Sequence, residues 1–206
     1  MSEAPTASIN VPAGSGPGRL VLVVGPSGAG KDTLLNLARA QCAGDSRMVF
    51  PRRVVTRRAS SFEDNEEMDE PAFRRALAQG RFAIHWQAHG HSYGVPRAID
   101  DDIRSGRTVV INVSRTVIAA ARRLYAHVQV VAITAPEQVL ADRLAKRSRD
   151  SDGDIGERLH RTVDEEALVA DATIVNVGDP REHAKVLTSV IMGEHPGKKA
   201  VAVGGE

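Results

Sequence analysis

The sequence predicts an α/β protein in which a parallel sheet is covered by helices on both faces, and three observations carry that expectation. Short apolar strands alternate with helical patterns along the chain; those strands are continuous Val, Ile and Leu runs; and the first of them passes directly into a glycine-rich turn that opens a helix. Continuous apolar runs belong to strands buried on both faces, and strand–helix alternation favours parallel pairing through helical crossovers.

Each element can be justified in order. LVLVV (20–24) is the first strand, and the helix DTLLNLARAQCA follows its turn with Leu34, Leu35, Ala38 and Cys42 along one face. A second strand is expected within VFPRRVVT (49–56). TVVINV (108–113) precedes a helical segment at 115–125, VQVVAIT (128–134) precedes PEQVLADRLAKR, and ATIVNV (172–177) precedes PREHAKVLTSVIM. The sum is a five-stranded sheet flanked by helices. Two stretches interrupt the rhythm: residues 57–95, with the short helix EPAFRRALAQG and the aromatic-rich FAIHWQAHGHSYG, and the charged, glycine-bearing KRSRDSDGDIGER.

At 206 residues the chain is long enough for one well-buried domain. Its 27 basic and 26 acidic side chains leave a net charge of +1, which argues against nucleic acid or an anionic membrane surface as a partner. No apolar stretch reaches the roughly 20 residues of a membrane helix. The one cysteine, Cys42, falls in an apolar helical run and suggests a packing role in a reducing, cytoplasmic setting. Residues 1–18 and 193–206 are rich in small residues and are expected to be flexible tails around a folded unit of residues 19–192.

The turn GPSGAGKDT comprises Gly25, Pro26, Ser27, Gly28, Ala29, Gly30, Lys31, Asp32 and Thr33. Placed between a buried strand and a helix, it offers backbone N–H groups and a helix N-terminus to the phosphates of a nucleotide, with Lys31 as a point charge for the β and γ oxygens. The usual pattern G-x-x-x-x-G-K-[ST] has a hydroxyl where Asp32 stands. Three roles are open: Asp32 holds Mg²⁺ directly or through water, Asp32 serves the helix start as a cap, or Thr33 supplies the hydroxyl one place later. The metal-linked role is favoured, because a carboxylate beside a polyanion is repelled unless a cation lies between them. His85, His89 and His91 lie close together but have no Cys or Glu companion at metal-ligand spacing, so no zinc site is expected there.

Over residues 19–192 the sequence resembles the guanylate kinase branch of the nucleoside-monophosphate kinases. VVGPSGAGKDTLL is similar to that family's first strand, loop and helix, VTRRAS to its acceptor-phosphate segment, HGHSYGVP to its Tyr-Gly signature, LADRLAKRSRDS…IGERL to its helix and lid, and ATIVNV to its last strand. The resemblance implies a P-loop kinase fold with a small acceptor-binding lobe at about 57–95 and a mobile lid at about 147–157. It implies ATP and Mg²⁺ at the loop, acceptor phosphate at Arg57 and Arg58, a tyrosine contact from Tyr93, and lid arginines Arg147 and Arg158, with Arg149 between them.

Several positions depart from the guanylate kinase pattern. Ser60 stands where a second phosphate arginine is implied, Gln87 is taken as the counterpart of the guanine-reading glutamate, and Asn112-Val113-Ser114-Arg115 replaces an acidic segment. A site that reads a base through a carboxylate loses discrimination when the carboxylate becomes an amide. The GKD loop, the TR-x-A-S segment, Trp86 with Tyr93, and N-x-S-R together resemble the ribose 1,5-bisphosphate phosphokinases of phosphonate breakdown. That likeness implies a base-free acceptor, ribose 1,5-bisphosphate, and makes Gln87 and Arg115 candidate acceptor contacts, Arg115 for the far phosphate. A nucleoside-monophosphate kinase and a non-catalytic guanylate kinase-like binding module are the rival readings.

Overall fold

The computed structural model describes residues 16–57, 64–88, 90–148, 170–194 and 200–201. In chain order its elements are β1 (Arg19–Val24), α1 (Lys31–Gln41), β2 (Met48–Val49), β3 (Arg53–Val55), β4 (Asn65–Glu67), α2 (Glu70–Ala78), β5 (Phe82–Ala88), β6 (His91–Pro96), α3 (Ile99–Arg104), β7 (Thr108–Asn112), α4 (Ile118–Leu124), β8 (Val128–Thr134), α5 (Glu137–Ser148), β9 (Ala172–Val175), α6 (Pro180–Met192) and β10 (Ala200–Val201). One sheet has the strand order β10-β9-β8-β1-β7-β2 and the other β4-β3-β6-β5. In the first, β9 pairs in parallel with β8 and β10, and β2 in parallel with β7. The α/β class holds, and β1 is buried from Leu20 to Val24 as its continuous apolar run requires.

Four expectations need correction. VFPRRVVT is not one strand: β2 joins the first sheet and β3 the second. Pro51 lies between them, and without an N–H it cannot continue a ladder. The sheet has six strands because β10 arises from the expected C-terminal tail and pairs with β9, Ala200 opposite Thr173. Gly18, expected in the N-terminal tail, is tied to the fold, its N–H donating to the carbonyl of Ile103 at 3.0 Å. The helical segment at 115–125 opens as a 3₁₀ turn, Arg115–Val117, before α4 begins.

The chain divides into two compact units, one running to Leu22 and from Asp45 to Gln129, the other from Val23 to Gly44 and from Val130 onward. In the first, α2 packs Phe73 and Ala76 against Val54 and Phe82, with Phe73 and Phe82 stacked at 4.6 Å. Asp69 caps α2 by accepting the N–H of Ala72 at 2.6 Å, a contact of about 1 kcal/mol. Tyr125 donates to the buried Asp100 carboxylate at 2.7 Å, and burial followed by that bond pushes the phenol well above its usual range.

In the second unit α1 packs against α6. Leu34 and Ala38 from α1, and Ala184, Leu187 and Ile191 from α6, are buried. Thr188 donates to Gln41 across that pair at 2.7 Å. Helix α6 carries clear sequence signals at both ends: Asp179 accepts the N–H of Arg181, Pro180 occupies the first turn, and Gly193 closes the helix in a left-handed conformation.

Candidate active site

The phosphate loop lies wholly in the second unit, between β1 and α1. Two glycines are required by its shape. Gly25 has φ 149°, and a Cβ there would strike the carbonyl of Ile133; Gly30 has φ 87°, and a Cβ there would strike Nδ2 of Asn176. Lys31 is half-buried and folds back on the loop, its Nζ donating to the carbonyls of Gly25 at 2.9 Å and Pro26 at 2.8 Å. Two further carbonyls are held by side chains. Asn176 Nδ2 donates to Ala29 at 2.7 Å, and Arg143 Nη1 reaches Gly28 at 3.4 Å while its Nη2 donates to the carbonyl of Asn176 at 3.0 Å.

The start of α1 gives the aspartate a definite position. Gly30, not Asp32, is the N-cap residue, and no side chain caps the helix; Asp32 sits half-buried in the first turn and Thr33 is exposed. Its charge there complements the positive end of the helix.

The acceptor candidates lie in the first unit, on the second sheet. Trp86 of β5 pairs with Tyr93 of β6, and their rings stack nearly parallel at 5.2 Å and 4°. Val55 also pairs with Tyr93, and Arg57, two residues on, reaches the Tyr93 hydroxyl with Nε at 3.4 Å. Arg57, Tyr93 and Trp86 therefore share one face. Gln87 pairs with Ser92, one position out of phase, so it projects from the opposite face, where it is exposed. The expected grouping of Gln87 with Arg57 and Tyr93 is not what the fold makes; strand alternation separates them. On that opposite side Ser92 Oγ approaches the Glu70 carboxylate at 3.3 Å, and its N–H donates to Thr56 Oγ1 at 2.8 Å.

Arg115 is half-buried on the 3₁₀ turn, which Ser114 caps and which packs next to β5. Arg53 links the neighbouring strands by donating to Asn65 Oδ1 at 3.1 Å and to the carbonyl of Asn112 at 3.3 Å. Arg147 is carried by the last turn of α5. Arg58, Ser60, His89, Arg149 and Arg158 lie outside the described residues. Sequence reasoning missed Asn176 and Arg143. The available signals were an amide ending an apolar strand and an arginine one helical turn before Arg147.

A buried strand, a glycine-rich loop and a lysine opening the next helix, set in an α/β sheet, define a P-loop kinase. The architecture is similar to the crystal structure of guanylate kinase from Anaplasma phagocytophilum, with a TM-score of 0.63 at 22% identity over 87% of each chain, a likeness of fold. No family model matches the chain. Among curated relatives, ribose 1,5-bisphosphate phosphokinase PhnN of Bradyrhizobium diazoefficiens is 59% identical over 194 residues, 94% of this chain and 98% of that protein. The same-named proteins of Rhodopseudomonas palustris and Methylobacterium radiotolerans are 60% identical over 88% of this chain and 54% over 84%, covering 92% and 97% of those proteins. The chain belongs to the ribose 1,5-bisphosphate phosphokinase family.

Proposed function

We propose that the protein transfers the γ-phosphoryl group of ATP to the 1-phosphate of ribose 1,5-bisphosphate, giving 5-phosphoribosyl 1-diphosphate and ADP. Family membership supports this reading. The structural observation that carries it is the pairing of the Arg57 guanidinium with the Tyr93 hydroxyl on one face, a cation and a neutral hydroxyl suited to a phosphomonoester.

A phosphomonoester has its second pKa near 6, so the attacking oxygen is already largely ionised at neutral pH and no general base is needed. That oxygen forms a bond to the γ-phosphorus as the bond to the β–γ bridging oxygen breaks, and ADP leaves with the electron pair. Catalysis then rests on alignment and on cations around the transferring group. Lys31, released from the carbonyls of Gly25 and Pro26, would serve the β and γ oxygens. Arg57, with Arg58 and Tyr93, would hold the acceptor's 1-phosphate, Arg115 its distal phosphate, and Arg147 and Arg158 the charge developing during transfer.

Magnesium fits the oxygen donors at the start of α1. Among the described residues no group of three or more His, Cys, Asp or Glu could hold a metal ion, whereas Asp32 offers one half-buried carboxylate in the first turn of α1. Mg²⁺ is commonly held this way, by one or two carboxylates plus substrate phosphates and water, and when bound it neutralises charge on the β and γ phosphates. Asp32 would hold it directly or through water.

The test is a paired assay with Mg²⁺-ATP and either ribose 1,5-bisphosphate or GMP, the product identified by mass. The expected outcome is 5-phosphoribosyl 1-diphosphate with GMP inert; GDP as the main product would overturn the assignment in favour of a guanylate kinase. ATP binding with slow hydrolysis and no transfer to either acceptor would leave a non-catalytic binding module as the better reading.

A further inference from the structure

We propose that Asn176 and Arg143 are positioning residues for the phosphate loop, holding the carbonyls of Ala29 and Gly28 from behind so that the loop's N–H groups face a bound polyphosphate. The inference rests on the reading of Gly25–Thr33 as the ATP loop. It concerns a residue just past β9 and one on α5, not the loop itself.

The argument begins with the peptide plane. In a trans peptide the C=O and N–H point in opposite directions, so fixing one fixes the other. Asn176 Nδ2 holds the Ala29 oxygen at 2.7 Å, which turns the N–H of Gly30 away from Asn176 and into the loop. A carbonyl oxygen only accepts, so the amide nitrogen, not Oδ1, must be the atom facing it. Asn176 is itself firmly held. It is 3% exposed, its N–H donates to Thr134 at 2.7 Å, and its carbonyl accepts from Arg143 at 3.0 Å. Arg143 then extends the same backing to Gly28 at 3.4 Å.

Two features mark this contact as specific to the loop. Among the described residues Asn176 Oδ1 is buried without a partner, a destabilising arrangement that general packing would not favour. Gly30 approaches so closely that a Cβ would collide with Nδ2, so the loop's last glycine accommodates Asn176 as well as its own φ. The loop carbonyls then divide by function. Those of Gly25 and Pro26 are satisfied by Lys31, a side chain that phosphate would draw away; those of Gly28 and Ala29 are bonded by Arg143 and Asn176, which are also bonded to each other. Without the second pair, the peptide between Ala29 and Gly30 is free to turn its carbonyl dipole toward an anion, which repels it.

The test uses Asn176→Asp, similar in shape but lacking the donor, with Asn176→Ala as the second variant should the first fail to fold. Binding of ATP and of inorganic tripolyphosphate, which has no nucleoside, is measured by titration calorimetry beside thermal stability and the acceptor KM. The expected result is about tenfold weaker binding of both ligands, with acceptor KM unchanged and Tm within a few degrees of wild type. Unchanged tripolyphosphate binding in a folded variant overturns the proposal, as does a loss confined to ATP, which would put Asn176 against the nucleoside. Polyphosphate and acceptor affinities falling together with Tm would make Asn176 merely structural. If wild-type protein binds neither ligand, the ATP-loop reading fails and takes the proposal with it.

Discussion

On the proposed function, the phosphate loop and the acceptor face would each hold an anion, by different means. In the loop, side chains bond backbone carbonyls: Lys31 at Gly25 and Pro26, Arg143 at Gly28, Asn176 at Ala29. The ligand-facing groups are then main-chain N–H dipoles, identical whatever the side chains. On the acceptor face the groups are side chains that meet one another, Arg57 at Tyr93 and Tyr93 against Trp86. A backbone cradle recognises polyphosphate as a class, whereas a side-chain face changes its acceptor when single residues change. On the proposed function, that contrast lets the loop bind a nucleotide and leaves the second sheet to select what receives the phosphate.

Substitutions can break or sharpen the comparison. The largest effect is expected for Lys31→Ala, which removes the loop's one mobile cation; kcat should fall by on the order of a thousandfold while circular dichroism and Tm stay near wild type. Retention of most activity would mean the backbone alone carries the donor site. Arg57→Ala removes a charge-assisted contact, so kcat/KM for the acceptor should drop roughly ten- to a hundredfold, with ATP affinity measured by calorimetry unchanged. A parallel loss of ATP affinity would erase the division between backbone and side-chain recognition. The smallest effect is expected for Gln87→Ala: acceptor KM within about twofold of wild type, because an exposed surface change away from a site costs little. A large rise in KM would return Gln87 to the acceptor site.

What could be read from sequence follows the range of the interactions involved. The first strand, loop and helix were legible because their signals are contiguous: an apolar run, glycines at fixed offsets, an apolar helical face. Asn176 and Arg143 were not, since Asn176 meets Ala29 across 147 positions and Arg143 meets Gly28 across 115. No local pattern encodes such a pairing. The face on which Gln87 lies was not legible for a different reason. The residue's place in FAIHWQAHGHSYG was visible, but its face depends on hairpin register, which shifts between Phe82 and Ile84. Pro51 is legible as a strand breaker within VFPRRVVT, and β10, two residues in a polar tail, is defined only by its pairing with β9.

The stacking of Trp86 on Tyr93 has a practical corollary. Trp86 is the chain's one tryptophan, and the only other tyrosine is Tyr125. The protein's intrinsic fluorescence therefore originates beside Arg57, with no competing indole in the unit that carries the phosphate loop. On the proposed function, emission from this chain would report, without a label, on the surroundings of the acceptor.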